Sequence, residues 1–270
     1  KMCKYQKSIE AHKCGPKRFN IQSSHNGLYF FKSFKSFFSP FVASYPKFTP
    51  ETCTSFIFRP RKDIDMNIYL DFDCKSREPI QFETKDLARF ARKVGKLLSS
   101  PEFVITKRVA SYLKTTKTEK YHAFGFHLWF LGKFSLTQCK LVRDTILCQK
   151  LLDPLRKKYN FYNEDEDVVD KRPALRSNGL YLIGDRKQAA PPHYICHAKG
   201  NVMAYGWQFK SSYRALYCTL LEQLYSFIWE PRGTVQELKK SPTVKVPKTV
   251  STSCFNLALF LEITKGHVAN

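Results

Sequence analysis

The chain has 270 residues, 43% of them hydrophobic and 15% aromatic, enough to bury one large core or two small ones. Its 45 basic residues outnumber 23 acidic ones for a formal net charge of +22, more than solubility requires, and this points to a polyanionic partner, nucleic acid before an anionic membrane. No apolar run approaches the roughly 20 residues that span a bilayer, no apolar signal core follows Lys1-Met2-Cys3-Lys4, and the nine cysteines form no Cys-x-x-Cys, which argues against a membrane protein, a secreted disulfide scaffold and a zinc ribbon. A soluble, intracellular protein with reduced thiols is expected.

Residues 1–53 read as a basic, aromatic-rich extension packed on the core. Phe30, Phe31, Phe34, Phe37, Phe38, Phe41, Tyr45 and Phe48 alternate with Lys32, Lys35 and Lys47. Such rings can stack bases, but large aromatics are mainly core material. A strand is expected over 54–59 and another, at hairpin distance, over 67–73, with Asp63-Ile64-Asp65 as a charged turn between them. A helix follows over 84–98, because Leu87, Phe90, Ala91, Val94, Leu97 and Leu98 recur at helical spacing, with Thr84 as its N-cap. Its opposite face carries Lys85, Arg89, Arg92, Lys93 and Lys96.

Strand 102–106 leads into a basic polar segment, Lys107 to Lys120, that includes Arg108 and Lys114. Residues 121–131 read as a buried strand and 136–152 as a second helix. The acidic run 163–167 precedes Val168-Val169-Asp170, and 179–184 reads as a further strand closed by Asp185-Arg186-Lys187. A last helix is expected over 213–229, stopped by Pro231, and 239–253 reads as linker or tail. This order implies an α/β (α+β) fold, a mixed twisted sheet flanked by helices, with a core over 54–235 and a C-terminal tail over 236–270.

The chemistry concentrates in Asn67-Ile68-Tyr69-Leu70-Asp71-Phe72-Asp73. In a strand Asp71 and Asp73 project to one face, where like charges repel unless they sit in water or share a cation. Mg2+ is the natural occupant, since it takes carboxylate oxygens and leaves positions for phosphates. Further along, Gly125-Phe126-His127 interrupts an apolar strand and Asp170 closes a short apolar step. His193, Cys196 and His197 offer three potential metal ligands at short spacing, a cluster size that is usually incidental.

Taken in order, Asp71-x-Asp73, Gly125-Phe126-His127-Leu128-Trp129-Phe130, Val168-Val169-Asp170 and the stretch Leu180–Lys187 resemble the archaeo-eukaryotic primase superfamily. The likeness is to its viral members, the pox-, herpes- and baculovirus-like primases, and it covers roughly residues 54–190. It implies that Asp71, Asp73 and Asp170 hold two Mg2+ or Mn2+ ions, and that His127 faces them and holds a nucleoside triphosphate. Arg176, Arg186 and Lys187 would contact its phosphates, with Tyr181 standing where the family places an arginine. Arg89, Arg92, Lys93, Lys107, Arg108 and Lys114 would hold a single-stranded DNA template.

The implied activity is DNA-directed primer synthesis during viral DNA replication, beside a replicative helicase or a larger primase subunit, in the host nucleus or at a viral replication site. Two other readings use the same residues: a two-metal nuclease, and a basic nucleic-acid-binding subunit without catalysis.

Overall fold

The structure, a computed structural model, describes residues 56–60, 62–99, 101–181, 183, 190–191, 193–198, 201–202 and 219–226, with N-terminal pieces 12–15, 21–23, 27–33 and 35–37. The chain divides into two units, Lys1–Glu230 and Pro231–Asn270, and every described residue lies in the first. The strands are β1 (Ile21–Ser23), β2 (Leu28–Tyr29), β3 (Phe56–Phe58), β4 (Met66–Ser76), β5 (Phe103–Arg108), β6 (Tyr112–Thr115), β7 (Lys120–Phe134), β8 (Leu180–Tyr181), β9 (His193–Ala198) and β10 (Asn201–Val202). The helices are α1 (Thr84–Gly95), α2 (Leu136–Cys148), α3 (Asp153–Tyr159), α4 (Asp165–Val168) and α5 (Lys171–Ala174), and residues 219–224 are helical as well. Among the described residues no helix is long and apolar enough to cross a membrane.

The strands form two sheets flanked by helices, an α+β arrangement. The larger runs β10-β9-β5-β7-β4, with β6 also pairing β7, and the smaller runs β2-β1-β3-β8. The pairings differ from the expected mixed sheet in being antiparallel throughout the described strands. The expected hairpin between 54–59 and 67–73 is also not formed. Bends at Lys62–Ile64, in the charged stretch, carry the chain from β3 in the small sheet to β4 in the large one.

Along β4, Ile68, Leu70, Phe72 and Cys74 alternate with Tyr69, Asp71, Asp73 and Lys75, and the period of two assigns each set to one face. The first set packs under α1, where Phe72 lies flat on Phe126 at 4.4 Å and Phe90 meets Phe72 edge-on at 5.4 Å. Leu87, Phe90, Ala91 and Val94 supply the buried side of α1, and the expected helical stretch 96–98 tightens into a 3-10 turn. The N-cap is Glu83 rather than Thr84, without a side-chain capping bond.

The expected helix over 136–152 is two helices. Ser135 and Gln138 form a capping box at the start of α2. Lys150 then adopts φ of 48°, which no α-helix continues through, and Pro154 in the first turn of α3 restarts the helix.

On the opposite face, at the Tyr69–Trp129 end, the small sheet and the 219–224 helix close a second core. Phe58, Leu180, Ile183, Leu220, Leu221, Leu224 and Tyr225 pack there, and Tyr29, Phe31 and Phe37 of the N-terminal stretch join them. Those three rings are therefore core rather than base-stacking surface. Phe34, Phe38, Phe41, Tyr45 and Phe48 lie outside the described residues.

Asn67 fastens this second layer. At the bulge between Met66 and Ile68 its amide donates to the carbonyls of Gln223 (2.7 Å) and Leu224 (3.2 Å). Its oxygen accepts from the backbone of Gly132 at 3.0 Å, and Gly132 has φ of 150°, a conformation that other residues rarely adopt. Asn67→Ala is expected to lower unfolding stability by about 2 kcal/mol, because buried backbone groups lose their partners. A urea midpoint shift at constant m-value checks it.

Candidate active site

Strand register builds the site. On the face away from α1, Asp71 stands opposite His127 and Asp73 opposite Gly125. β5 and β9 continue these rows, with Thr106 opposite His127 and Arg108 opposite His193. A Cβ on Gly125 would lie 3.2 Å from both Arg108 Nε and Asp73 Oδ1, so the glycine leaves the room that lets a guanidinium and a carboxylate both reach over β7 at this point. Arg108 donates from Nη1 to the Pro191 carbonyl at 2.8 Å, while its buried Nε has no hydrogen-bond partner among the described residues.

His127 is fixed from several sides. Its Nδ1 lies 3.0 Å from the Thr106 hydroxyl, its Nε2 lies 3.4 Å from Asp71 Oδ1, and its ring stacks on His193 at 3.8 Å with 6° between the planes. Burial first and the Arg108 charge second hold its pKa well below the ordinary value, so the imidazole is neutral and carries one N–H. With that proton on Nε2, facing Asp71, Nδ1 is free to accept from Thr106. Burial, then His127 and Arg108, lower the His193 pKa in the same way.

Both imidazoles therefore resist protonation that the unfolded chain accepts at its ordinary value of 6.5. Stability is present above about pH 6.5 and falls as the pH drops below it towards the depressed folded values. Each group contributes a slope of at most about 1.4 kcal/mol per pH unit. Melting curves followed from about pH 8 to about pH 5 should show this acid loss, and His193→Phe, which keeps a stacking ring, should reduce it.

Asp170 reaches the same region through the main chain. β4 is an edge strand of the larger sheet, and residues 162–170 cover its outer side. The Tyr162 amide donates to the Lys75 carbonyl at 2.9 Å, and the Asn163 side chain bonds both Lys75 N and the Asp73 carbonyl at 2.9 Å. Val169 bridges Phe72, and the Asp170 amide donates to the Asp71 carbonyl at 3.0 Å. Buried Arg143 braces this crossing by donating from Nε to the Val169 carbonyl at 3.0 Å. The Asp170 carboxylate is gripped by Arg172, whose Nε lies 3.2 Å from both oxygens and whose Nη2 lies 3.0 Å from Oδ2. Asp170 first, then Asp71 and Asp73 at longer range, hold Arg172 more firmly protonated, so one guanidinium lies in the field of all three acids.

The oxygens of partly buried Asp71 and exposed Asp73, on one face, fit a hard divalent cation. Among the described residues, however, no group of three or more His, Cys, Asp or Glu is arranged to hold a metal ion. Asp170 is near through its backbone while its carboxylate is turned onto Arg172.

Several expected site residues have other placements. Arg176, expected at phosphate, is buried and donates to the carbonyls of Ile64 and, at 2.6 Å, Phe134. Lys107, expected on DNA, is buried and donates to the Phe82 carbonyl at 2.6 Å, because its position in β5 points to the α1 side. Arg89, Arg92 and Lys93 are exposed on α1, behind the sheet from the carboxylates. Lys114 is exposed on β6, and Arg108 faces the site. Tyr181 pairs with Ile57 in the small sheet. Arg186 and Lys187 lie outside the described residues.

A register shift in β9 divides the His193, Cys196 and His197 cluster. His193 stacks on His127, whereas His197 stacks on Phe103 at 4.9 Å and Cys196 Sγ approaches the Ile105 carbonyl.

Thr106, His193 in its stacking role and Arg172 were not legible as site residues from sequence. Thr106, a polar residue closing an apolar strand, carried the one usable signal. No protein-family model matches the chain, and no curated protein is significantly similar to it.

Proposed function

We propose that this chain is the catalytic core of a DNA primase of the archaeo-eukaryotic, viral type, joining nucleoside triphosphates on a single-stranded DNA template. The observation that supports this reading most is the shared face of Asp71, Asp73 and His127, with Asp170 fastened beside Asp71 through the edge of β4. Primer synthesis displaces pyrophosphate from a triphosphate, and two Mg2+ or Mn2+ ions would activate the attacking hydroxyl and stabilise the leaving oxygen.

Asp71 and Asp73 would hold the ions, with Asp170 completing the set once its carboxylate turns. His127, kept neutral and oriented by Thr106, offers an N–H to a phosphate oxygen. Arg108, with its unpartnered Nε above Gly125, is better placed for phosphate than Arg176, whose guanidinium is spent on carbonyls. Template contacts fit the Arg108 and Lys114 side, and they would weaken steeply with salt. A helicase or larger primase subunit as partner, and Arg186 and Lys187 as phosphate ligands, are carried by the resemblance alone.

Incubation with single-stranded DNA, labelled nucleotides and Mn2+ should yield products that lengthen with nucleotide concentration. DNA that shortens instead identifies a two-metal nuclease. DNA binding without any metal-dependent nucleotide affinity identifies a non-catalytic subunit.

A further inference from the structure

We infer that Arg172 is a built-in counter-cation of the acidic site: its guanidinium occupies Asp170 and must let go of that carboxylate before a divalent cation can use it. The inference rests on the reading of Asp71, Asp73 and Asp170 as cation ligands. Asp170 accepts four contacts from Arg172, one from the backbone N–H at 2.9 Å and three from the guanidinium at 3.0–3.2 Å. These engage both carboxylate oxygens, the atoms that a cation needs. The guanidinium side chain is 68% exposed against 17% for Asp170, so Arg172 can swing into water while the acid stays in place. The Asp170 backbone is tied to Asp71, so releasing the side chain needs a rotation about its own bonds and loss of the bond from the Arg172 backbone N–H, which caps α5, but no movement of the sheet.

Asp71 and Asp73 share one face in the middle of β4, Asp170 is tied beside them through its backbone, and like charges so placed repel each other when no cation is bound. An arginine two residues from the third acid offsets that repulsion and leaves when a stronger cation arrives. Arg172 is thus a positioning residue that sets how much divalent cation the site needs before it fills. An exposed ion pair of this kind biases binding by a few-fold rather than by orders of magnitude.

The test is Mn2+ affinity of the full chain, with free Mn2+ counted by its electron paramagnetic resonance signal. Arg172→Gln should bind Mn2+ about three- to fivefold more tightly than the unaltered protein. Arg172→Lys, which keeps the charge but loses the fork, should fall between the two. On an Asp170→Asn background Arg172→Gln should change affinity by less than twofold, about the scatter of independent sites. Unchanged or weaker Mn2+ binding in Arg172→Gln and Arg172→Lys, each with a native circular dichroism spectrum, overturns the inference. If the unaltered protein binds no Mn2+ that Asp71→Asn and Asp73→Asn remove, the site reading itself fails, and the inference falls with it.

Discussion

Replacing Asp71 or Asp73 by asparagine is expected to lower metal-dependent primer synthesis by at least about 100-fold. Outer-shell partners of metal ligands are worth 10–100-fold, and a direct ligand, the role proposed for these two carboxylates, should exceed them. Asparagine preserves the shape of each side chain and removes one negative charge, so the fold should persist. Both variants should therefore retain their far-UV circular dichroism and still bind single-stranded DNA, because the template contacts proposed at Arg108 and Lys114 are untouched. Separate assays of DNA binding and nucleotide incorporation make the distinction. Incorporation that survives both substitutions would remove these carboxylates from the chemistry.

The second large effect is one of stability. Arg176→Ala should cost about 3 kcal/mol, since it strips buried carbonyls at Ile64 and Phe134 of their donor. In a unit of this size that is a fall in melting temperature of roughly 6–12 °C. The Michaelis constant for nucleotide should stay within about twofold at a temperature where the variant is folded. A phosphate ligand would behave in the opposite way, with weaker nucleotide binding and an unchanged melting temperature. Differential scanning fluorimetry beside steady-state kinetics separates the two roles.

The sequence made the Asp71 strand, the His127 strand and α1 legible because each carries a clean period. Alternating Ile68, Leu70 and Phe72 can only be a half-buried strand, and Leu87, Phe90, Ala91 and Val94 only a helix face. Pairing was less accessible. That β3 joins β8 rather than β4 depends on contacts across more than 100 residues, and a charged stretch reads alike as a hairpin turn or as a passage between sheets. Charged residues misled for a related reason. Arg176 and Lys107 look like surface cations in a basic chain, but a long side chain can also carry its head inward to bare carbonyls. The juxtaposition of His127 with His193 joins strands 66 positions apart in sequence and depends on β5 lying between them.

The covering of β4 by residues 162–170 has a wider consequence. The third acid owes its location to main-chain bonds that any side chain could supply, namely the Tyr162, Val169 and Asp170 contacts with the strand. Asn163 adds a side chain to that docking, and Arg143 braces it from the other side through the Val169 carbonyl. Substitutions at the exposed Glu164, Glu166 and Asp167 between these anchors can therefore accumulate without displacing the carboxylate. A carboxylate suspended on backbone contacts in this way can outlast most of the sequence that surrounds it.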